Sequence, residues 1–220
     1  MSEIQPFIEE PEVVFPNSTI FDLYKKVPIY ITDGMIKINN NIILSDINIQ
    51  IPLGKVIGIV GKNGSGKTSL LNYIMDRSSE EVIISSKVVF SSYMQFDYDF
   101  DSEKSLLQYC QMESEYSLDS IAIILKNLGF TETHLITPVN KLSGGESTKL
   151  ALALTFIRKS NFIILDEPTN FLDVFAIKGL EKIISSYPGT VLVSSHDRIF
   201  MDNIADIIYS LEQGKIFQIK

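Results

Sequence analysis

The 220-residue sequence predicts an α/β fold: a mainly parallel sheet, an antiparallel β layer ahead of it and an inserted helical lobe. Three observations carry this. Short apolar runs at Val56–Val60, Phe162–Leu165 and Val191–Ser194 read as strands buried on both faces. Helical periodicities alternate with them, the pattern of a parallel sheet with crossover helices. Ahead of them, Ile47, Ile49 and Ile51 keep a strict period of two, behind turn signals at Asp33-Gly34 and Asn39-Asn40-Asn41.

In chain order, residues 1–17 carry Glu3, Glu9, Glu10 and Glu12 among three prolines and read as a linker tail; residues 18–220 read as one domain. Val27–Ile38 and Ile42–Ile51 are expected as antiparallel strands. Thr68–Met75 reads as a helix with Leu70, Leu71, Ile74 and Met75 on one face. Val82–Tyr93, rich in β-branched residues and serine, reads as a strand. Acids dominate Asp97 to Asp119, so a solvated helical lobe is expected over about 97–150, its acidic part running to Phe130. A helix following Ser143-Gly144-Gly145 and running to about Arg158 presents Leu150, Leu154 and Ile157. Val174–Ser186 reads as another, with Ile177, Leu180 and Ile184 in register. Ile207–Leu211 and Lys215–Ile219 are expected to pair around Glu212-Gln213-Gly214.

Composition narrows the function classes. A net charge of −8 argues against this piece alone gripping nucleic acid through phosphate neutralisation. Cys110 is the single cysteine, so no internal disulfide forms and a reducing cytosol fits. No uncharged apolar run approaches the roughly 18 residues that span a bilayer, and the first residues lack the pattern of a signal peptide. A cytoplasmic location is expected.

Gly61-Lys62-Asn63-Gly64-Ser65-Gly66-Lys67-Thr68, continuing to Ser69, matches G-x-x-x-x-G-K-[ST] at every fixed position. The glycines let backbone N–H groups turn inward on phosphate oxygens, and the following helix adds its positive end. Lys67 supplies a point charge to the β and γ phosphates, and the Thr68 hydroxyl is a hard ligand for Mg²⁺. An apolar strand precedes this loop and a helix follows, so the core is that of a P-loop NTPase. The run Phe162–Leu165 ends in two acids. Asp166 is the expected Mg²⁺ partner, through water. Glu167 should point elsewhere and take a proton from the attacking water. His196, just past Val191–Ser194, is placed to bond a γ phosphate. His134 has no such context and reads as a plain loop residue.

Leu142-Ser143-Gly144-Gly145-Glu146 resembles the signature sequence of the ATP-binding cassette family. The resemblance extends over roughly Val27 to Lys220. It implies a helical signature lobe, ATP and Mg²⁺ as cofactors, and head-to-tail pairing with a second cassette, on the same or another chain. In such a pair each signature contacts the ATP on the partner's P-loop. It further implies that Gln95 reaches Mg²⁺ and the attacking water, that Asp173 of Leu172-Asp173 belongs to a loop crossing to the partner, and that the isolated domain is a weak ATPase.

Asp166-Glu167-Pro168-Thr169-Asn170-Phe171-Leu172-Asp173 and the stretch from Ser195 to Asp206 resemble the ABC-F branch, most of all the second cassette of antibiotic-resistance members of the Vga and Msr type. The resemblance implies action on the ribosome and tRNA, through parts absent here. One alternative stays open: a cytosolic ATPase subunit of a membrane transporter, itself outside the lipid. Two features depart from the branch. The chain carries one cassette without a long charged linker, so it is expected to be a fragment or to pair with another chain. Met35 to Ile38 offers only methionine and isoleucine where an aromatic base-stacking residue is expected; Tyr24 and Tyr30 lie too early.

Overall fold

Local turn chemistry sets the first division of the chain. A computed structural model describes residues 13–15, 26–77 and 79–220. Most of the expected linker tail, residues 1–12 and 16–17, and Tyr24 lie outside the described residues. β1 (Ile29–Ile38) and β2 (Asn41–Ile51) pair antiparallel around Asn39 and Asn40, both in the left-handed region that a tight hairpin turn requires. β3 (Val56–Gly61) then leads through the glycine loop into α1 (Lys67–Met75).

The stretch expected as one strand from Val82 to Tyr93 is two. A turn in which the Val88 N–H reaches the Ser85 carbonyl at 3.0 Å splits β4 (Val82–Ile84) from β5 (Phe90–Tyr93). β4 adds to the antiparallel layer in the order β2-β1-β4, while β5 joins the other sheet. The acidic stretch is only partly helical. Residues 97–104 form no helix, and helices begin where a serine caps them: α2 (Leu106–Met112) behind Ser105 and α3 (Leu118–Asn127) behind Ser117. α4 (Glu132–Leu135) is a single turn, and α5 (Gly144–Ile157) follows.

β6 (Phe162–Asp166), α6 (Val174–Ser186), β7 (Thr190–Ser194), α7 (Arg198–Ile204), β8 (Ile207–Glu212) and β9 (Lys215–Gln218) complete the chain. The larger sheet runs β5-β6-β7-β3-β8-β9, parallel except for the last strand. α7 is missing from the sequence reading, because its apolar side is only Phe200, Met201 and Ile204.

Every residue of β6 and β7 is buried. Side chains alternate between two cores: Ile163, Leu165, Val191 and Val193 face α5, α6 and α7, whereas Phe162, Ile164 and Leu192 face α1 and the antiparallel layer. This is why those strands read as unbroken apolar runs. α5 is buried on more than the expected face: from Leu150 to Ile157 every residue is inside. α6 meets the end of α3 so closely that a Cβ on Gly179 would stand 1.8 Å from the Asn127 carbonyl oxygen. Of the expected tail, Val13 and Phe15 are buried in the same core, with Phe15 edge-on to Tyr116 and Tyr187.

This order positions the site. β7 lies between the glycine-loop strand β3 and the acid-bearing strand β6, so three neighbouring carboxyl ends open on one cleft. There, open α/β sheets bind ligands.

Candidate active site

The glycine loop owes its shape to backbone that other residues rarely adopt: φ is +79° at Gly64 and +99° at Gly66. Gly66 is also the N-cap of α1, and no side chain caps that helix; no acid stands in its first turn. Each of the other six described α-helices is capped by its own serine, threonine or aspartate. The free N–H groups of α1 therefore remain for an anion, on the helix end that favours one.

Lys67 is buried. Its ammonium donates to the Gly61 carbonyl at 3.0 Å and pairs with Glu167 Oε1 at 3.0 Å. Asp166, at the end of β6, is only 1% exposed. Thr68 Oγ1 donates to its Oδ2 at 2.6 Å, and Ser194 Oγ donates to its Oδ1. The next residue departs from the strand. Glu167 has φ +48°, a strained value for a side-chain-bearing residue. The change of direction sends its carboxylate to Lys67 on one oxygen and to His196 on the other. His196 Nδ1 lies 2.8 Å from Oε2, and the His196 N–H donates to the same atom at 3.2 Å. Burial pushes the Glu167 carboxyl up, but the Lys67 and His196 contacts more than reverse this and hold it below the usual range.

Of these groups, Lys67, Thr68, Glu167 and His196 line a cleft of about 470 Å³ with Asn63, Gly64, Gly66, Ser69, Gln95 and Asn170, while Asp166 and Ser194 stand outside the lining, Asp166 bonded to it through Thr68. Gln95 arrives from the end of β5. Lys62 and Ser65 belong to the loop but do not line the cleft. Two aliphatic residues of the β1–β2 hairpin, Ile38 and Ile43, complete the wall. Tyr30 takes no part in the lining. The cleft thus has a polar end and an aliphatic wall, with no Phe, Tyr or Trp among its lining residues.

Four residues here escape the sequence reading as site members, among them Asn170, which enters that reading only through the branch resemblance. Ile38 and Ile43 carry no motif. Ser194 has a signal that could have found it: like β6, β7 is an apolar run ending in a polar residue.

The donor set fits a hard divalent cation: the Thr68 hydroxyl and a buried carboxylate oxygen adjoin, with the Gln95 amide in the same cleft. Among the described residues no group of three or more His, Cys, Asp or Glu could enclose a metal. Phosphate oxygens and water would have to supply the remaining ligands.

The signature residues do not line this cleft. Leu142 packs against the core, and Ser143 caps α5 in a reciprocal box with Glu146. A Cβ on Gly144 or Gly145 would meet nothing within 4 Å. Asp173 caps α6 and pairs with Lys149 at 3.2 Å, tying α5 to the loop after β6. His134 corrects its reading as a plain loop residue: it lies on α4, with Nε2 3.0 Å from Glu146 Oε1. No helix among the described residues is long and apolar enough to cross a membrane.

A family model described as ABC transporter matches residues 44–170. The erythromycin resistance ATP-binding protein MsrA of Staphylococcus epidermidis is 39% identical over 216 residues, covering 96% of this chain and 44% of that protein. The ribosome protection protein VmlR of Bacillus subtilis is 34% identical over 157 residues, covering 70% of this chain and 29% of that protein. A solved structure of the RNase-L inhibitor superposes with a TM-score of 0.73 at 24% identity, over 94% of this chain and 42% of that one. The chain thus spans less than half the length of these relatives.

Proposed function

The chain belongs to the ATP-binding cassette family, and on that premise we propose that it binds MgATP between β3 and α1 and hydrolyses it as one half of a head-to-tail cassette pair. One observation carries the reading. Among seven described α-helices only α1 lacks a side-chain cap, and that open end faces a buried lysine and two buried carboxylates.

The free N–H groups of the glycine loop and α1 would grip the phosphate chain. Lys67 would exchange the Glu167 carboxylate for β and γ phosphate oxygens. Magnesium, held by Thr68, Asp166 and Gln95, would neutralise charge on those oxygens. Released from Lys67, the Glu167 carboxylate takes a proton from the attacking water. His196 keeps its orientation on the same cleft and bonds the γ phosphate. The remaining positive surround comes from the partner's signature turn. The open space around Gly144 and Gly145 supports this. So do Phe171 and Phe175, which flank Asp173 and are 82% and 85% exposed.

The whole protein's role is read from its relatives' names. We propose half of an ABC-F protein that acts on the ribosome in the cytoplasm, in antibiotic resistance or translation. The parent protein carrying Glu167→Gln should co-sediment with ribosomes in ATP. Failure to do so, with co-purification of a membrane permease, would make it a transporter's ATPase subunit.

A further inference from the structure

We propose that His134 is a positioning residue for the signature turn: by holding Glu146, it sets how readily the Ser143 hydroxyl is released to a phosphate on a partner cassette. This rests on the composite-site reading above.

The Ser143 hydroxyl carries one proton, and in this chain it is already committed. Ser143 Oγ donates to Glu146 Oε2 at 2.7 Å, and the Ser143 N–H donates to the same oxygen at 2.7 Å. The return bond, from the Glu146 N–H to Ser143 Oγ, is long at 3.4 Å. To donate to a phosphate, Ser143 must therefore leave Glu146. An approaching phosphate also meets the negative charge of that carboxylate.

His134 acts on both obstacles. The Thr131 N–H donates to His134 Nδ1 at 3.0 Å, which makes that nitrogen an acceptor and leaves the ring proton on Nε2. Nε2 lies 3.0 Å from Glu146 Oε1, so a neutral imidazole donates to the carboxylate. The ring is set edge-on against Phe130, with centroids 5.9 Å apart. A carboxylate that receives a second strong donor binds its first less tightly. The contact also anchors Glu146 to α4, an element that does not carry the signature.

Without His134, Glu146 keeps Ser143 as its only side-chain hydrogen-bond donor among the described residues, the residue it has to give up. His134 also completes the α4 cap, where Thr131 Oγ1 accepts from the His134 N–H. A purely structural role must be separated from this one. Thr131→Ala does so: it removes the cap hydroxyl, which also lies 2.9 Å from His134 Nδ1, and keeps the backbone N–H that still donates to that nitrogen at 3.0 Å.

The experiment measures ATPase activity of the full chain against protein concentration, with ATP affinity measured in parallel. His134→Ala should lower the superlinear activity about tenfold, the scale of one charge-assisted hydrogen bond, with ATP affinity unchanged. His134→Gln, whose amide can still donate to Glu146, should restore most of it, and Thr131→Ala should stay near wild type. Wild-type activity in His134→Ala overturns the proposal. So does equal loss in Thr131→Ala and His134→Ala without rescue by glutamine. Should the wild type itself show strict proportionality to concentration, the composite-site reading fails, and this proposal with it.

Discussion

Lys67 Nζ lies 3.0 Å from Glu167 Oε1, while His196 Nδ1 lies 2.8 Å from the other oxygen of the same carboxylate. The lysine that should serve the phosphates and the histidine that should sense them are both engaged by the residue that should activate water. Lys67 and Glu167 are buried, so each satisfies a charge the other would otherwise leave unpaired. A triphosphate brings several negative charges to Lys67 and can replace the glutamate there. Nucleotide binding and release of the base are then one exchange.

The first expectation concerns Glu167→Gln. Loss of a general base slows hydrolysis by roughly 10²–10⁴. The exchange adds a second consequence: the neutral amide competes less for Lys67, so ATP affinity should rise above wild type. Single-turnover hydrolysis and equilibrium ATP binding test both, and a normal turnover rate removes Glu167 from the role of base.

Lys67→Ala should go the opposite way. It removes the cleft's point charge and leaves the Glu167 carboxylate facing the phosphates without its lysine. ATP affinity should fall at least about a hundredfold, since a buried charge-paired contact is lost and a repulsion gained. Unchanged ATP binding would mean the phosphate cradle is misassigned.

The convergence of residues at the polar end of the cleft was legible in the sequence because its pattern is local: Gly61 to Ser69 is one loop, and Asp166-Glu167 is one strand end. The strand cores were legible for the same reason, as β6 and β7 are apolar at every internal position. What escaped depends on distant contacts. Val82–Tyr93 has uniform β propensity, yet a turn at Ser85–Val88 hands its halves to different sheets. The contact of His134 with Glu146 joins residues twelve positions apart, and no motif marks His134 itself. Ile38 and Ile43 gain their position only when the β1–β2 hairpin folds beside the glycine loop, where Ile43 Cγ2 would stand 3.0 Å from a Cβ on Gly66.

That aliphatic wall gives a prediction about the nucleobase. Ile38 is about half exposed and lines the cleft. A base resting there gains dispersion contact but no ring stacking. Ile38→Tyr should tighten ATP binding about tenfold, within the range that base–aromatic stacking supplies. Inorganic triphosphate, which has no base, should bind both proteins equally. Equal tightening for both ligands would show that the new ring acts on the loop rather than on the base.

Asp206 links pH to stability. Its carboxylate accepts from the Val56 N–H at 2.9 Å and pairs with Lys55 at 3.0 Å, fastening the start of β3 beside β8. Burial pushes its carboxyl up, but the Val56 N–H and Lys55 outweigh this and hold it below the usual aspartate value. The folded-state pKa is therefore depressed. The stabilisation is present above the unfolded value of about 4 and is lost as pH falls through the lower folded value. Asp206→Asn should lower the melting temperature at pH 7, and the gap to wild type should shrink below about pH 4. A gap that widens in acid would reverse the sign of the linkage.

Head-to-tail pairing can be tested by complementation. Ser143→Arg should spare ATP binding, because Ser143 does not line this chain's own cleft. It should abolish turnover, because the added side chain fills the open space at Gly144 and Gly145 where a partner's nucleotide would sit. Lys67→Ala is inactive for the opposite reason: its cleft is broken but its signature is intact. In a two-fold pair of the two variants, the intact cleft of the first faces the intact signature of the second. An equal mixture should therefore regain up to about a quarter of wild-type activity, since half of the pairs form and each has one complete site of two. Two inactive proteins that stay inactive when mixed, while each still folds, would show that Ser143 does not act across the interface.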